Sequence, residues 1–331
     1  MPRRVVSALL VLAYSISAQQ NGLPKNGSDA PKLPDLGEGA TGYIDNAFVG
    51  TQIRIRVDGA FDDRTPDRAE FFYAKCGCFR IGGADPNAPG PGPGIVTNLR
   101  FQEYRADVEY SVMRRLSLFA EVPFRSIQPI NFIPTTSSGR SFQNHAGIGD
   151  FRPGFKFALN QNPDNYITFQ FRAYTPTGDA SRGLGTNHYS VEPAILFQHK
   201  LTDRSALAGE IGGWLPIGGS SAIPDPSNRG FAGDVLFYGL GVNYDLTSRQ
   251  SRVRVTPVLE FVGWNVRGGS VTDPNTKSGV ADATGSNIAN LKLGMRFTFR
   301  THESLYFGYG RELTHVGWYR DILRLEFRHT F

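Results

Sequence analysis

A strict period-two alternation of side chains, recurring from about residue 50 to the end, most constrains what this chain can fold into. Ile53–Asp58 (IRIRVD) swaps apolar and charged residues at every step, and Tyr104–Tyr110 (YRADVEY) repeats the pattern. A period of two places one set of side chains on each face of a β-strand. About twelve such segments of about ten residues each are present. They fall near 51–61, 101–111, 116–126, 148–159, 166–175, 188–199, 206–217, 234–245, 252–265, 288–299, 304–312 and 318–331.

The links between these segments alternate in length. Short links lie near 112–115, 160–165, 200–205, 246–251 and 300–303, and longer ones near 62–100, 127–147, 176–187, 218–233 and 266–287, with a brief final link at 313–317. About ten residues suffice for a tilted strand to cross a bilayer, and outer-membrane barrels have short periplasmic turns and long external loops. The pattern therefore predicts an all-β, antiparallel transmembrane β-barrel of about twelve strands over residues 46–331.

The N-terminus has the features of an export signal. Arg3 and Arg4 precede the apolar run Val5–Ile16, and small residues at Ser17 and Ala18 suit cleavage. We predict a signal peptide at 1–18 and a flexible periplasmic leader at 19–45, which is rich in Gly, Pro, Asn and Asp. A plug at the barrel mouth is the alternative for the leader. The predicted location is the outer membrane of a Gram-negative-type bacterium.

Composition and the chain end support the same class. The chain has 24 Phe, 13 Tyr and 3 Trp, and its formal charge of +5 includes the two arginines of the predicted signal. No basic run with interleaved aromatics is present, so a nucleic-acid partner is not predicted. A final strand ending in Phe331 resembles the signal read by the barrel-assembly machinery, which we predict as a partner together with outer-membrane lipid.

The two faces of the predicted strands differ in chemistry. The apolar face is predicted to meet lipid, at Tyr104, Val108, Phe151, Phe155, Phe157, Phe169, Phe171, Leu291, Leu293, Phe297, Phe299, Leu325 and Phe327. The opposite face is charged, which predicts a water-facing lumen. The candidates for solute contact are Arg54, Arg56, Arg105, Arg152, Lys156, Arg172, Arg254 and Arg296, with Asp150 and Glu260 as acidic partners. The charges either form ion-pair ladders that narrow the lumen or give it a preference for anions.

Catalysis and metal binding have little support in the sequence. None of the six histidines lies in an H-E-x-x-H motif, and no G-x-S-x-G motif is present. A rim pair of His145 or His188 with Asp150 remains a minor alternative. Cys76 and Cys78 flank Gly77 as a loop staple or a free pair, too few ligands for zinc. We predict a protein that is not an enzyme and needs no cofactor or metal.

Three short segments carry a family resemblance. Gly147–Lys156 (GIGDFRPGFK), Pro176–Asp179 (PTGD) and Val122–Phe124 (VPF) resemble segments of a family of outer-membrane transporters linked by name to the meta-cleavage pathway of phenol degradation. The resemblance implies a barrel for small, aromatic solutes.

The functional prediction is a channel or passive transporter for small solutes, aromatic or anionic. The alternative is an occluded structural barrel that binds partners through its external loops, above all the loop 62–100. Deleting residues 82–94 would separate them, because only a surface binder should then lose its ligand.

Overall fold

Long antiparallel strands account for most of the chain. The computed structural model describes residues 39–64, 95–133, 143–218, 232–248, 251–272, 280–299 and 302–331. Its strands are β1 (Gln52–Asp63), β2 (Ile95–Met113), β3 (Leu116–Ile133), β4 (His145–Ile148), β5 (Arg152–Asn162), β6 (Asn165–Tyr174), β7 (Tyr189–Lys200), β8 (Ser205–Ile217), β9 (Val235–Tyr244), β10 (Val253–Val266), β11 (Ser270–Thr272), β12 (Val280–Asp282), β13 (Asn287–Phe299), β14 (Glu303–Glu312) and β15 (Asp321–Thr330). A 3-10 turn spans Ala180–Arg182.

The strands form a closed ring because the first and last barrel strands pair with each other. β1 pairs with β15 from Gln52↔Thr330 to Phe61↔Asp321, and with β2 on its other edge. Both β4 and β5 pair with β3, so they count as one strand interrupted at residues 149–151. β11 and β12 form a separate hairpin between β10 and β13. The predicted antiparallel barrel of twelve strands is confirmed.

Burial alternates along each strand, with charged side chains inside and apolar ones outside. On β1, Arg54, Arg56 and Asp58 are buried, whereas Ile55 between them is 49% exposed. The predicted lipid-facing residues are exposed or half-exposed, as at Tyr104 and Leu293. This pattern is the reverse of that in soluble proteins and suits a bilayer. Lipid solvates the apolar side chains, and in the closed ring every strand has hydrogen-bonded neighbours on both edges.

The two ends of the barrel differ in their connections. The links 114–115, 163–164, 201–204, 245–252 and 300–302 join strands at one end, here called the short-turn end. The links 64–94, 134–151, 175–188, 218–234, 267–286 and 313–320 join strands at the other, the long-loop end. The alternation of loop length predicted this division, and the last long-loop link is three residues longer than predicted.

The structure differs from the sequence prediction in a few bounds. β2 and β3 continue beyond the rest of the ring at the long-loop end, where Ile95 pairs with Ile133. The predicted signal peptide 1–18, residues 19–38 of the predicted leader, and Cys76 and Cys78 lie outside the described residues. Within the described ranges, no helix has the length and apolar character needed to cross a membrane.

Candidate functional site: the barrel interior

Residues 39–50, here called the interior segment, run inside the barrel as a U. Gly39 accepts a hydrogen bond from Arg328, two residues from the end of β15. Tyr43 reaches deeper and lies under Arg324, 4.2 Å from guanidinium carbon to ring centroid. Val49 returns to donate its N–H to the hydroxyl of Tyr166, the second residue of β6. The segment therefore enters and leaves at the short-turn end.

Glu260 holds the first arm of the interior segment. Its carboxylate accepts backbone N–H bonds from Gly42 (3.2 Å), Tyr43 (2.9 Å) and Ile44 (2.8 Å), and the hydroxyl of Tyr306 donates a fourth bond at 3.0 Å. Gly42 packs so closely on the Tyr306 ring that a Cβ there would overlap the ring. A fully buried carboxylate thus replaces its lost hydration with four donors.

Arg172 and Glu210 hold the apex of the U. Arg172 Nη2 donates to Asp45 Oδ2 at 2.6 Å, and the backbone N–H of Asp45 donates to Glu210 at 2.9 Å. Burial by itself would raise the pKa of Asp45, but the positive charges of Arg172 and Arg54 outweigh burial and hold that pKa well below 3.8. Asp45 is therefore an anion at neutral pH and binds the apex to the wall.

This arrangement corrects the predicted domain boundary. Residues 39–45 were predicted as the end of a flexible leader, but they lie inside the barrel and bond to several strands. The physical reason is that Gly39, Gly42 and other small residues fit between the inward-facing side chains. The carboxylates and guanidinium groups of those side chains form hydrogen bonds with the backbone of the segment. The alternative of a plug, left open by the sequence, describes these residues.

Ion pairs fill the short-turn half of the lumen. Glu121 lies within 4 Å of the guanidinium nitrogens of Arg54, Arg105, Arg152 and Arg172, at 3.8, 3.3, 3.9 and 3.0 Å. The cavity at this level is only about 10 Å³, room for about one water molecule. The interior segment and these charges therefore narrow the lumen in this half.

Glu326, three strands away from Glu121 around the ring, organises a second ion-pair cluster. It is fully buried, and three guanidinium groups surround it, with Arg56 at 3.0 Å, Arg296 at 2.8 Å and Arg328 at 3.0 Å. Arg296 also donates to the backbone carbonyls of Ala40 and Thr41. The same cluster thus braces the wall and binds the interior segment.

The long-loop half of the lumen instead contains a cavity of about 230 Å³, here called the vestibule. All three tryptophans of the chain lie on its wall. Its lining residues are Tyr43, Phe101, Tyr174, Trp214, Val235, Phe237, Trp264, Trp318, Tyr319 and Ile322, together with Asp45, Arg56, Asp58, Glu103, Arg105, Arg125, Arg152, Arg172, Glu192, Glu210 and Arg324. Aromatic rings and guanidinium groups therefore face one space.

Some guanidinium groups in the vestibule wall keep unused donors. The Nε atoms of Arg152 and Arg172 are buried and have no hydrogen-bond partner among the described residues, whereas Arg105 Nε lies 3.4 Å from Asp107. Arg152 also lies over the ring of Tyr174, with 5.1 Å from its guanidinium carbon to the ring centroid. Such donors beside aromatic faces suit a ligand that has both a ring and an anionic group.

The structure places the ten predicted solute-contact residues in three groups. Arg56, Arg105, Arg152 and Arg172 line the vestibule and also pair with Glu326 or Glu121, so they lie where the two halves meet. Arg54, Lys156, Glu260 and Arg296 lie in the ion-paired half, where Lys156 bonds Glu109 at 2.9 Å. Asp150 and Arg254 belong to neither, and Arg254 is half-buried near the short-turn end. The predicted roles of Asp150 and Glu260 as partners of arginines differ from the contacts observed, because both carboxylates bind mainly backbone N–H groups.

Asp150 brings together the three segments that carry the family resemblance. Its carboxylate accepts N–H bonds from Gly178 (3.0 Å) and Thr186 (2.9 Å), and Gly149 donates to the carbonyl of Pro123 at 2.9 Å. A Cβ on Gly178 would lie 2.5 Å from the carbonyl oxygen of Leu184. Asp150 therefore holds the loop 175–188 over the break between β4 and β5. The prediction that Asp150 faces the lumen relied on strand alternation, which is interrupted at this break.

The Asp150 carboxylate that was considered as a partner for His145 or His188 accepts backbone N–H bonds instead. His188 Nδ1 is 3.0 Å from the carbonyl of Tyr189, and Asp150 is occupied by the loop contacts described above. Across the part of the chain that the structure describes, no group of three or more His, Cys, Asp or Glu side chains has a metal-binding arrangement.

The aromatic vestibule was not predicted from the sequence, although the strand alternation already places its aromatic residues on the inward face. Phe101 shares the inward phase of Glu103, Trp214 that of Glu210, and Trp264 that of Glu260. The sequence signal for the vestibule was an aromatic residue on the inward face of a strand, two or four residues from a buried charged residue and on its long-loop side. The prediction treated the inward face as uniformly charged and did not separate its two ends.

Comparisons with known proteins agree with this architecture. A model of the family described as "Putative MetA-pathway of phenol degradation" matches residues 95–213. The COG4313 outer membrane channel from Pseudomonas putida F1 is similar in fold, with a TM-score of 0.55 at 14% identity, covering 88% of this chain and 99% of that chain. The NanC porin (TM-score 0.44, 8% identity, 84% and 98% covered) and the CymD monoaromatic hydrocarbon channel (0.40, 11%, 86% and 89%) are more distant. No curated protein matches this sequence.

The matched range contains all three segments that meet around Asp150. The resemblance read from the sequence is confirmed, and residues 95–213 carry the pattern of the family named for the MetA pathway of phenol degradation.

Proposed function

We propose that this protein is an outer-membrane channel for small aromatic solutes that carry an anionic group, which bind in the vestibule on their way inward. The observation that carries the proposal is the vestibule itself, where three tryptophans and several arginines face one cavity of about 230 Å³. A cavity of about 150 Å³ accommodates benzene, so the vestibule has room for one substituted ring. The long loops would then face outward and the short turns the periplasm.

The interior segment occupies the route below the vestibule, so we infer that passage requires this segment to move. Its contacts are hydrogen bonds and ion pairs, each worth about 0.5–3 kcal/mol, together with apolar packing of Ala47, Phe48 and Val49 against the wall. Export by the signal peptide and insertion by the barrel-assembly machinery through the Phe331 strand belong to the same proposal.

Tryptophan fluorescence tests the proposal, because every tryptophan in the chain lines the vestibule. The folded barrel in detergent is titrated with benzoate, toluene and cyclohexanecarboxylate. We expect benzoate to change the emission at the lowest concentration. Arg152→Gln should weaken benzoate binding about tenfold and leave toluene binding unchanged. Arg254→Gln, outside the vestibule, is the matched control and should bind benzoate like the wild type.

Uptake of labelled benzoate into proteoliposomes then distinguishes transport from binding alone. Absence of any emission change at millimolar benzoate, or an equal loss in Arg254→Gln, would refute the vestibule as the solute site. Binding without uptake would favour the second candidate, an occluded barrel, for which the ion-paired and filled short-turn half is the specific observation.

A further inference from the structure

Four arginines lie on the outer wall of the barrel at the long-loop end, here called the rim arginines: Arg64, Arg100, Arg311 and Arg320. They come from neighbouring strands and their ends, because Arg311 pairs with Asp321 on β15 and Asp321 pairs with Phe61 on β1. The side chains of Arg311, Arg64 and Arg320 are 57%, 54% and 42% exposed, and Arg100 is also exposed.

Two aspartates join the rim arginines into one patch. Asp321 lies 3.0 Å from Arg311 and 2.7 Å from Arg320. Asp62 lies 2.6 Å from Arg320 and 3.6 Å from Arg64, and also accepts a bond from Asn98. Glu312, on the inward phase of β14, is near enough that Arg64, Arg311 and Arg320 act on its carboxyl group electrostatically. Among the described residues, and counting Glu312, the patch therefore has four positive charges against three negative ones.

Stability does not account for this concentration of charge. Exposed ion pairs contribute about 0–1 kcal/mol each, and a guanidinium excess repels itself where no anion neutralises it. The side chain of Arg311 stays 57% exposed although it donates to Asp321, and Arg100 stands over the exposed ring of Phe61 at 5.9 Å. The patch therefore has unused capacity for an external anion.

The depth of the patch identifies the kind of anion. Phe61 is level with Arg311 in the strand register, and Tyr309 is two residues nearer the middle of the barrel, with both rings exposed. Nearer the middle of the barrel the outer wall presents apolar side chains such as Phe307 and Leu325, whereas the exposed Gln102 is level with Tyr309. Exposed aromatic residues mark the boundary between hydrocarbon and headgroups. The rim arginines therefore lie at headgroup height.

We propose that the rim arginines bind the phosphate groups of a phosphorylated glycolipid in the outer leaflet. A guanidinium fork matches phosphate oxygens in a bidentate geometry, and several forks side by side suit a headgroup with more than one phosphate. The inference uses the membrane orientation proposed above but not the solute site, which lies on the other face of the wall.

Native mass spectrometry of the folded barrel in detergent tests the proposal. The probes are bisphosphorylated lipid A, the same lipid after phosphatase treatment, phosphatidylglycerol and inorganic phosphate. We expect lipid A to bind most tightly, and the double variant Arg311→Gln/Arg320→Gln to lose at least about tenfold in affinity. The matched control Arg182→Gln/Arg204→Gln removes two exposed arginines elsewhere and should bind like the wild type.

Removing the phosphates from lipid A should weaken binding to the wild type as much as the double variant does. Arg311→Gln alone, at an exposed position, serves if the double variant does not fold, with a smaller loss in the same direction. Equal binding by wild type and variants would overturn the proposal, as would indifference to dephosphorylation. Competition by inorganic phosphate at equal concentration would show an anion site without lipid selectivity, and would also overturn it. Benzoate titration of the same variants should be unchanged, so failure here leaves the solute proposal untouched.

Discussion

The two halves of the barrel interior use charge in opposite ways. In the short-turn half, Glu121 and Glu326 each collect three or four guanidinium groups, the interior segment adds backbone donors, and little space remains. In the long-loop half, guanidinium groups line the vestibule with some donors unpaired, beside tryptophan and tyrosine rings. The first half resembles a solid core built from ion pairs, and the second a binding site.

This difference teaches that charge facing the inside of a barrel does not by itself indicate a water-filled pore. Buried ion pairs with matched partners close space, because each charge needs a countercharge at contact distance. The same residue types leave space open where aromatic rings separate them. The ion-pair clusters should therefore stabilise the short-turn half, and the vestibule should determine ligand affinity.

The strongest challenge to this comparison is Glu326→Ala. Removing the shared carboxylate leaves the guanidinium groups of Arg56, Arg296 and Arg328 uncompensated, so the free energy of unfolding should fall by about 3–5 kcal/mol. Urea unfolding in detergent, followed by tryptophan emission, measures it. The matched control Glu303→Gln, whose side chain is 43% exposed, should change stability by less than about 1 kcal/mol. Equal effects would mean that the buried cluster does not stabilise the barrel.

Glu260→Gln tests whether the short-turn half is closed by the interior segment. The amide keeps the volume but loses the charge that three backbone N–H groups share, which should weaken the segment's attachment by about 1.5–3 kcal/mol. We expect more frequent current openings in planar bilayers, and faster protease cleavage within residues 39–50, than in the wild type. Asp203→Asn, on an exposed short turn, is the control. A silent, uncleaved Glu260→Gln barrel would argue against closure by the segment.

A pair of aromatic substitutions compares the two halves directly. Tyr306→Phe removes the hydroxyl that bonds Glu260 in the ion-paired half, and should cost about 1.5–3 kcal/mol of stability. Trp214→Phe reduces a ring in the vestibule wall, and should cost less than about 1.5 kcal/mol while weakening benzoate binding. Urea unfolding and fluorescence titration of both variants are the measurements. A larger stability loss in Trp214→Phe would reverse the assignment of the halves.

The smallest expected effect is that of pH on the interior segment. The folded-state pKa of Asp45 lies well below 3.8, so its contribution is fully present above about pH 3.8 and is lost only as pH falls further. Protease protection of residues 39–50 should therefore be constant from pH 7 to about pH 4.5. Asp45→Asn should reduce protection equally over that range. A loss of protection in the wild type near pH 6 would contradict the charge state assigned to Asp45.

The sequence predicted the barrel because its signals are local and repeated. Alternation at Ile53–Asp58 and Leu323–Arg328 gives both the strands and their faces, and loop length separates the two ends. The pairing of individual charges could not be predicted, since Arg56 and Glu326 are brought together only by the closing of the ring between β1 and β15. The position of the interior segment depends on contacts more than 200 residues apart, such as that of Tyr43 with Glu260.

The U-shaped course of the interior segment determines how the barrel can open and close. Both ends of the U, at Gly39 and Val49, lie at the short-turn end of the barrel. The segment can therefore leave the lumen as a loop, without threading a free chain end through the strands. It stays tethered to β1, so it acts as an intramolecular competitor whose effective concentration near the lumen is on the order of millimolar. Each opening should thus be brief, because the tethered segment rebinds quickly. A solute in the vestibule can enter the short-turn half only while the interior segment is displaced from it.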